Sequence, residues 1–482
     1  MFTLRDVFFA FINIAILVLV GRYIKQKVHW LQRLYLPESV IAGFLALLLG
    51  PQVLGAIATA IGGSDAALAE GVFPEAIRTV WSQSPSIFIN VVFAALFLGE
   101  TIPRPREIWR VAAPQVVFGQ TLAWGQYVLG ALVTLLILIP LFNANPIAST
   151  LIEIAFEGGH GTAAGMAETL GELGFEDGAD LALGLATVGI ISGIVCGTAL
   201  ANWGRRKGHI ETVAATIEDP GEIPALGEPE SPEFARRRTR LMRNLLIDPL
   251  SINFGIVGLA IAIGWLILEG LRLIEALTWG QTGFEVMSFV PLFPMALIGG
   301  IVVQLVMERL GIHPLIIRPL MQNIAGLALD ALVVTALASI SLQVIGSNLP
   351  TFLILSIVGI LWNVLMFLWF APRIFPDLWF ERGIGDMGQS MGVTATGILL
   401  LRMVDPENRS GAFESFAYKQ LFFEPIVGGG LFTAAAPVLV VNLGVGGMLA
   451  LTSVLLAIWL ILGFMMIRQR RRQRQERTLT RV

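Results

Sequence analysis

The sequence predicts an all-α polytopic membrane protein: two inverted five-helix repeats, each with a re-entrant hairpin, plus one extra C-terminal helix. Three observations predict it. Of 482 residues, 55% are hydrophobic and 14% charged, against roughly 25% charged in a soluble domain; the mean hydropathy is +0.76. Apolar runs long enough for a bilayer recur along the chain. Two apolar stretches, one in each half, are broken by glycine: Glu157-Gly158-Gly159-His160-Gly161-Thr162-Ala163-Ala164-Gly165 and Gly388-Gln389-Ser390-Met391-Gly392-Val393-Thr394-Ala395-Thr396-Gly397. Glycine weakens a helix, and bare backbone at membrane depth persists only where it is buried in protein or lines a wet cavity.

A span needs about 20 mostly apolar residues. By that measure spans fall at 7–21, 36–61, 85–99, 111–141, 179–203, 249–273, 286–310, 324–345, 352–371, 413–442 and 445–467. The first lacks a basic leader and a small-residue cleavage site, so it reads as a membrane helix rather than a removed signal. Stretches 147–173 and 385–404 are apolar but heavily broken, and read as hairpins that turn back before crossing. Trp30, Trp81, Trp109, Trp203, Trp279 and Trp379 fall near span ends and read as interfacial anchors.

Charge placement tests this layout, because Lys and Arg collect on cytoplasmic loops. Arg22, Lys25, Lys27 and Arg33 follow the first span, Arg104, Arg106 and Arg110 the third, and Arg205, Arg206 and Lys207 the fifth. Arg309 and Arg318 follow the seventh, Arg373 and Arg382 the ninth, and Arg468 to Arg472 the last. The alternation holds only if neither broken stretch crosses. The N-terminus is then outside and the C-terminus cytoplasmic, with the first hairpin entering from outside and the second from inside. An odd number of spans per repeat inverts the second repeat relative to the first. The organisation is a first repeat at 1–204 with its hairpin near 147–173, a cytoplasmic linker at 205–246, a second repeat at 247–444 with its hairpin near 385–404, and an extra helix with a basic tail at 445–482. The linker is acidic first, then basic from Arg236 to Arg243, which suits a flexible loop ending at the membrane surface.

Paired glycine-interrupted segments in two halves are the sequence mark of a substrate site in a secondary transporter. In the first, Gly158, Gly159, His160, Gly161 and Thr162 offer free backbone groups, an imidazole and a hydroxyl; the competing reading is that Gly161-x-x-x-Gly165 packs helices. In the second, Gly388, Gln389, Ser390, Gly392, Thr394 and Thr396 offer neutral hydrogen-bonding groups for a small polar solute. Asp386 at its edge reads as a solvated charge. Asp330 lies mid-span, where an ionisable group is a functional candidate by default; a salt bridge or a helix-end placement is the alternative. Asn90, Asn323 and Glu157 complete the candidate ion-coupling set, with packing hydrogen bonds the alternative for the two amides. Glu424 is a further acid beside apolar sequence. Gly189-x-x-x-Gly193-x-x-x-Gly197 reads as a ridge for close helix packing, and Gly428-Gly429-Gly430 holds the corresponding place in the second repeat.

What is missing also narrows the field. No Gly-x-x-x-x-Gly-Lys-Ser/Thr occurs, which argues against an ATP-driven pump. One cysteine, Cys196, excludes an internal disulfide and a cysteine metal cage, and the formal net charge of −3 gives no sign of a nucleic-acid partner. Neither a nucleophile–base pair nor a resident cofactor or metal is indicated beyond Na⁺ as a coupling ion, and the chain does not read as an enzyme.

At Leu36-Pro37-Glu38-Ser39-Val40-Ile41-Ala42-Gly43, at Gly158-Gly159-His160-Gly161-Thr162 and in the glycine-ridged fifth span, the chain resembles the bacterial sodium/glutamate symporter family, over most of residues 7–444. The resemblance implies inverted repeats with re-entrant hairpins, Na⁺-coupled uptake of L-glutamate across the inner membrane, and a homodimer working by an elevator-like motion. The 2-hydroxycarboxylate transporters are similar in architecture. The family tends to a denser glycine run in the second motif, to neutral residues at Asp330, Glu157 and Glu424, and to no extra span. The leading expectation is therefore sodium-coupled glutamate symport. The alternatives are an H⁺- or Na⁺-coupled carrier of another organic acid or amino acid and, from another class, an ion channel or membrane sensor.

Overall fold

A computed structural model describes residues 2–33, 36–100, 102, 104–210, 248–375, 377–406 and 408–479. The linker expected at 205–246 thus lies outside the described residues from 211 onward, including its basic end. Every described element is a helix. Among the described residues, nine helices are long and apolar enough to cross a membrane.

Local chemistry sets many of the boundaries. Thr3 and Asp6 form a reciprocal capping box at the start of Leu4–Lys27. Asp248 accepts from the Ser251 N–H ahead of Pro249–Leu277, and Asn145 accepts from the Ile147 N–H ahead of Pro146–Thr150. In the last two a proline stands at the first helical position, where its missing N–H costs nothing.

Two expected spans come out differently. The stretch 85–99 is helical only to Ala95, as the second half of Glu75–Ala95, which is long enough to cross but is not among the nine. Its Glu75, Arg78, Ser82, Gln83, Ser84 and Asn90 dilute its apolar character. The expected span 413–442 is interrupted. Ala412–Phe423 ends, Pro425 and Gly428 to Gly430 break the chain, and Leu431–Leu479 begins. The backbone leaves the helical conformation at Gly444 (φ 70°, ψ 166°), so Leu431–Leu479 is two helices that part where the expected spans 413–442 and 445–467 do.

The chain forms two compact units, each drawing on both halves of the sequence. The first comprises Met1–Ile102, His160–Gly184 and Ala225–Leu349; the second comprises Pro103–Gly159, Leu185–Pro224 and Pro350–Val482.

In the first unit, Arg318–Ser339 packs along both Glu75–Ala95 and Glu38–Leu48, and Pro249–Leu277 packs along Leu292–Arg309. Close approach is permitted by Gly43 against Leu337 and by Gly264 and Gly299 against the backbones of Met295 and Ala260. Trp81, expected at an interface, is instead 1% exposed. Its indole N–H donates to the Ala10 carbonyl at 3.2 Å, and its ring packs on Phe73, so it serves as core. Arg318 forms an ion pair with Glu100 at 2.7 Å and donates to the carbonyls of Ala95 and Leu98.

In the second unit, Pro105–Val133 is the central packing element, touching Trp379–Val404, Ala412–Phe423 and Leu431–Leu479. Gly125 leaves room for the Trp362 indole, which donates to the Leu122 carbonyl at 2.9 Å. Gly189, Gly193 and Gly197 lie under Met391, Thr396 and Leu400 respectively. The small-residue ridge is thus a packing surface for Trp379–Val404, as its spacing predicts.

Candidate functional site

The second glycine-rich stretch is two helical arms in the element Trp379–Val404. They are separated at Gly392 (φ −150°, ψ 42°) and Val393 (φ 61°, ψ 176°). The arms fold back on each other: Gly385 faces Leu401, and Gly388 faces Gly397 and Leu400. Valine in a conformation open in practice only to glycine stores strain of about 1–3 kcal/mol, a cost retained chiefly at functional positions. A Cβ on Gly392 would stand 2.7 Å from Thr396 Oγ1 and 2.8 Å from the Ile190 Cα, so only glycine fits there.

A helix that stops leaves its last carbonyls without intrahelical partners. Here the Ser390 carbonyl accepts from Gln126 Nε2 at 2.7 Å and from Asn363 Nδ2 at 2.8 Å. Those two amides hold the broken end in place. The buried Ser390 hydroxyl lies beside the buried Glu157 carboxyl, and no other side chain and no backbone group bonds to either. The first glycine break ends at the same place. Leu151–Phe156 stops at Glu157 and Gly158, and Gly159 (φ 68°) lies directly against Val393. The second unit therefore brings together Glu157, Gly158 and Gly159 with Ser390, Gly392 and Thr394, residues more than 200 positions apart in sequence.

Around this meeting point lies a buried polar cluster. The Thr394 hydroxyl donates to Glu424 Oε1 at 2.9 Å. Gln389 and Gln420 exchange amide hydrogen bonds at 2.8 and 3.1 Å. Lys419, 0% exposed, donates to Gln389 Oε1 at 2.6 Å and to Asp386 Oδ1 at 3.0 Å, and Gln115 donates to the other Asp386 oxygen at 2.7 Å. Asp386 is thus not the solvated edge charge its sequence position suggests. A lysine on another helix neutralises it in the interior. Glu153, also buried, accepts from the Tyr127 hydroxyl, from the Gly428 N–H at 2.7 Å and from the Thr433 hydroxyl at 2.9 Å. It fixes the break at Gly428 to Gly430, whose N–H groups a regular helix would have used.

Glu153, Glu157, Asp386 and Glu424 against Lys419 is an excess of buried carboxylates. Buried charges are tolerated when paired or when they coordinate metals. Carboxylate, hydroxyl and unwound carbonyl oxygens are the ligands a hard monovalent cation prefers. The buried oxygens of Glu157 and Ser390 have the right chemistry for a hard monovalent cation.

The remaining candidates lie in the first unit. His160 and Thr162 are buried, and the Thr162 hydroxyl has no hydrogen-bond partner. Gly161 and Gly165 admit Ile89 at 3.1 and 3.2 Å from where a Cβ would sit, and Leu329 approaches Gly161 at 4.0 Å. The Gly-x-x-x-Gly pattern thus packs helices, and the helices carrying Asn90 and Asp330 converge on it. Asn90 Nδ2 donates to the Ser86 carbonyl at 2.8 Å, while its Oδ1 is buried without a partner. Asp330 is half-buried beside Ser39, at the start of Glu38–Leu48, where the helix dipole favours a carboxylate. Asn323 is exposed on Arg318–Ser339.

Sequence reading passed over Glu153, Lys419, Tyr127, Gln115, Gln126 and Asn363. For Glu153 a signal existed, since it is a charge inside an apolar run, Ile152-Glu153-Ile154.

Residues 139–377 match the sodium/glutamate symporter family. The matched segment contains the first glycine break and ends ahead of the second. No curated protein and no solved structure matches the chain.

Proposed function

Through residues 139–377 the chain belongs to the sodium/glutamate symporter family, and on that premise we propose that the polar cluster of the second unit is where cation and substrate are held. The protein is a sodium-coupled glutamate symporter, and its family is one of transporters rather than enzymes. Its apolar helices make it a multi-pass membrane protein. The observation that carries the site assignment is Glu157, a buried carboxyl with the Ser390 hydroxyl beside it and no other side chain or backbone group bonded to it. Na⁺ bound there takes oxygens from Glu157, Ser390 and the broken backbone. Glu424 and Thr394 border the same break and suit the ammonium group of glutamate. Gly158, Gly159, Gly388, Gln389, Gly392 and Thr396 shape the pocket. The family membership favours this reading over an H⁺-coupled carrier of another solute, a channel or a sensor.

The finer architecture belongs to the same proposal. Residues 1–204 and 247–444 form inverted repeats, with re-entrant hairpins near 147–173 and 385–404. The protein sits in the inner membrane with its N-terminus outside and its C-terminus cytoplasmic, and works as a homodimer by an elevator-like motion. The basic residues on alternate loops support the orientation, and the back-folded arms of Trp379–Val404 support the second hairpin. His160, Gly161 and Thr162 are proposed for substrate binding in their own right, and Asp330, Asn90 and Asn323 for cation coupling.

The test is glutamate uptake into proteoliposomes under an imposed Na⁺ gradient, with Glu157→Gln and Ser390→Ala. Wild type should take up glutamate only with Na⁺ outside. Glu157→Gln should lower uptake at least about tenfold, equivalent to losing about 1.4 kcal/mol of interaction, and should shift the Na⁺ dependence to higher concentration. If both variants keep the wild-type Na⁺ curve, the cation is bound elsewhere.

A further inference from the structure

Lys419 is the feature of the cluster that sodium-coupled transport does not require. Its helix, Ala412–Phe423, delivers the side chain into the interior, where the ammonium is wholly enclosed. Asp386 Oδ1 lies at 3.0 Å and Gln389 Oε1 at 2.6 Å. The rings of Phe416 and Phe423 lie at 4.9 and 4.1 Å, within the range in which an aromatic face attracts a cation. Gly119 leaves the room: a Cβ there would stand 2.9 Å from Lys419 Cδ and 3.1 Å from Nζ. Gln115 saturates the second Asp386 oxygen. The ammonium therefore sits in a cage of one carboxylate oxygen, one amide oxygen and two π-faces, a donor set for a small monovalent cation in a space too tightly enclosed for a bulky one such as choline.

The cage is joined to the second break. Gln389, which accepts from Lys419, is locked to Gln420 by paired amide bonds, and lies near Glu424, which accepts from Thr394 beside Val393. Lys419 is also the positive charge acting on both Glu157 and Glu424. The carboxylates of the cluster need positive charge in the interior, and part of it is supplied by the chain itself.

We propose that Lys419 is a tethered cation: it fills a monovalent-cation cage formed by Asp386, Gln389, Phe416 and Phe423, and so replaces one Na⁺ that the carrier would otherwise bind with each glutamate. The inference rests on reading the cluster as the coupling site. A plain buried ion pair would have only a structural role, and it would give the cage no reason to discriminate among ions.

The experiment uses the full-length protein. In proteoliposomes, the ratio of ²²Na⁺ to radiolabelled glutamate entering is measured for wild type, Lys419→Met and Lys419→Met/Asp386→Asn. In detergent, the unfolding temperature of each is titrated with NaCl against choline chloride. Lys419→Met should admit one more Na⁺ per glutamate and gain a stabilisation by NaCl that choline does not give. The double variant lacks both the charge and its counter-charge, and should return to the wild-type ratio without that stabilisation. A single variant that folds only in NaCl, beside a double variant that folds in either salt, supports the proposal equally. An unchanged flux ratio, stabilisation equal in the two salts, or a double variant as damaged as the single one overturns it and makes the pair a strut. If wild type shows no Na⁺-driven uptake, the site reading itself fails, while the salt titration still decides whether the cage takes Na⁺.

Discussion

Gly159 and Val393 touch where the two chain breaks meet, and both have positive φ, 68° and 61°. Valine is the costly member of the pair, since a β-branched residue rarely adopts that conformation. Its side chain occupies the space a Cβ on Gly159 would need. The contact is reciprocal: one residue has given up its side chain, and the other has given up its preferred backbone.

Gly159→Ala should therefore lower Na⁺-driven glutamate uptake at least about tenfold while the protein still reaches the membrane. The added methyl meets Val393, and left-handed backbone costs alanine about 1–2 kcal/mol. Val393→Ala in the same chain removes the overlap and leaves only the backbone cost, so uptake should recover most of the way. Uptake assays on the two single variants and the pair decide this. Equal damage in the single Gly159→Ala and the double variant would show that the contact is irrelevant.

Asp330→Asn should weaken the dependence of uptake on Na⁺ more than it weakens glutamate affinity. The comparison is uptake against Na⁺ at fixed pH, then against pH at fixed Na⁺. Should the variant reproduce both wild-type curves, Asp330 is an anchor at the start of Glu38–Leu48, the role its neighbour Ser39 also suits.

The expected topology places Asn143 and Asn408, both exposed, at hairpin bases on opposite sides of the membrane. Single cysteines there, in a Cys196→Ser background, should react with an impermeant thiol reagent from outside and from inside respectively. Reaction of both from one side contradicts the inverted repeat.

Glu100 lies past the end of the 85–99 span, and burial pushes its carboxyl up from 4.5 to about 7 although Arg318 pairs with it. Between those values the folded carboxyl keeps a proton that the unfolded one has lost. The folded state then binds more protons, and stability falls as pH rises. The contribution is fully present below 4.5 and gone above about 7. Glu100→Gln should flatten that fall. Unfolding temperatures in detergent at intervals across the window measure it, and parallel wild-type and variant curves would rule the effect out.

The parts of this site that sequence reveals are those that carry their meaning locally. Gly158-Gly159 and Gly392 announce breaks because glycine disfavours a helix wherever it stands, and the Gly189 to Gly197 spacing announces a ridge because residues four apart stack on one helix face. Asp386 and Lys419 escape such reading. Each has charge and polar neighbours in sequence, and their burial follows only from the pairing of two helices that the chain brings together in space. The interruption after Phe423 was signposted by Pro425 and the glycine triplet, but the apolar residues on both sides hide it in a hydropathy average. Trp81 shows the same limit: its distance from the span centre suggests an interface, and only the neighbouring Ala10 carbonyl reveals a core position.

The glycine at 119 puts an order on evolutionary change. Lys419 can be lost by a single substitution. It can be acquired only by a chain that already has glycine, or a residue nearly as small, at position 119, because anything bulkier displaces the ammonium from Asp386. A lineage can therefore shed its built-in charge in one step but must prepare the ground before gaining it. Among related carriers, lysine at the position of 419 should be found with glycine at that of 119, while glycine there should also be found without the lysine.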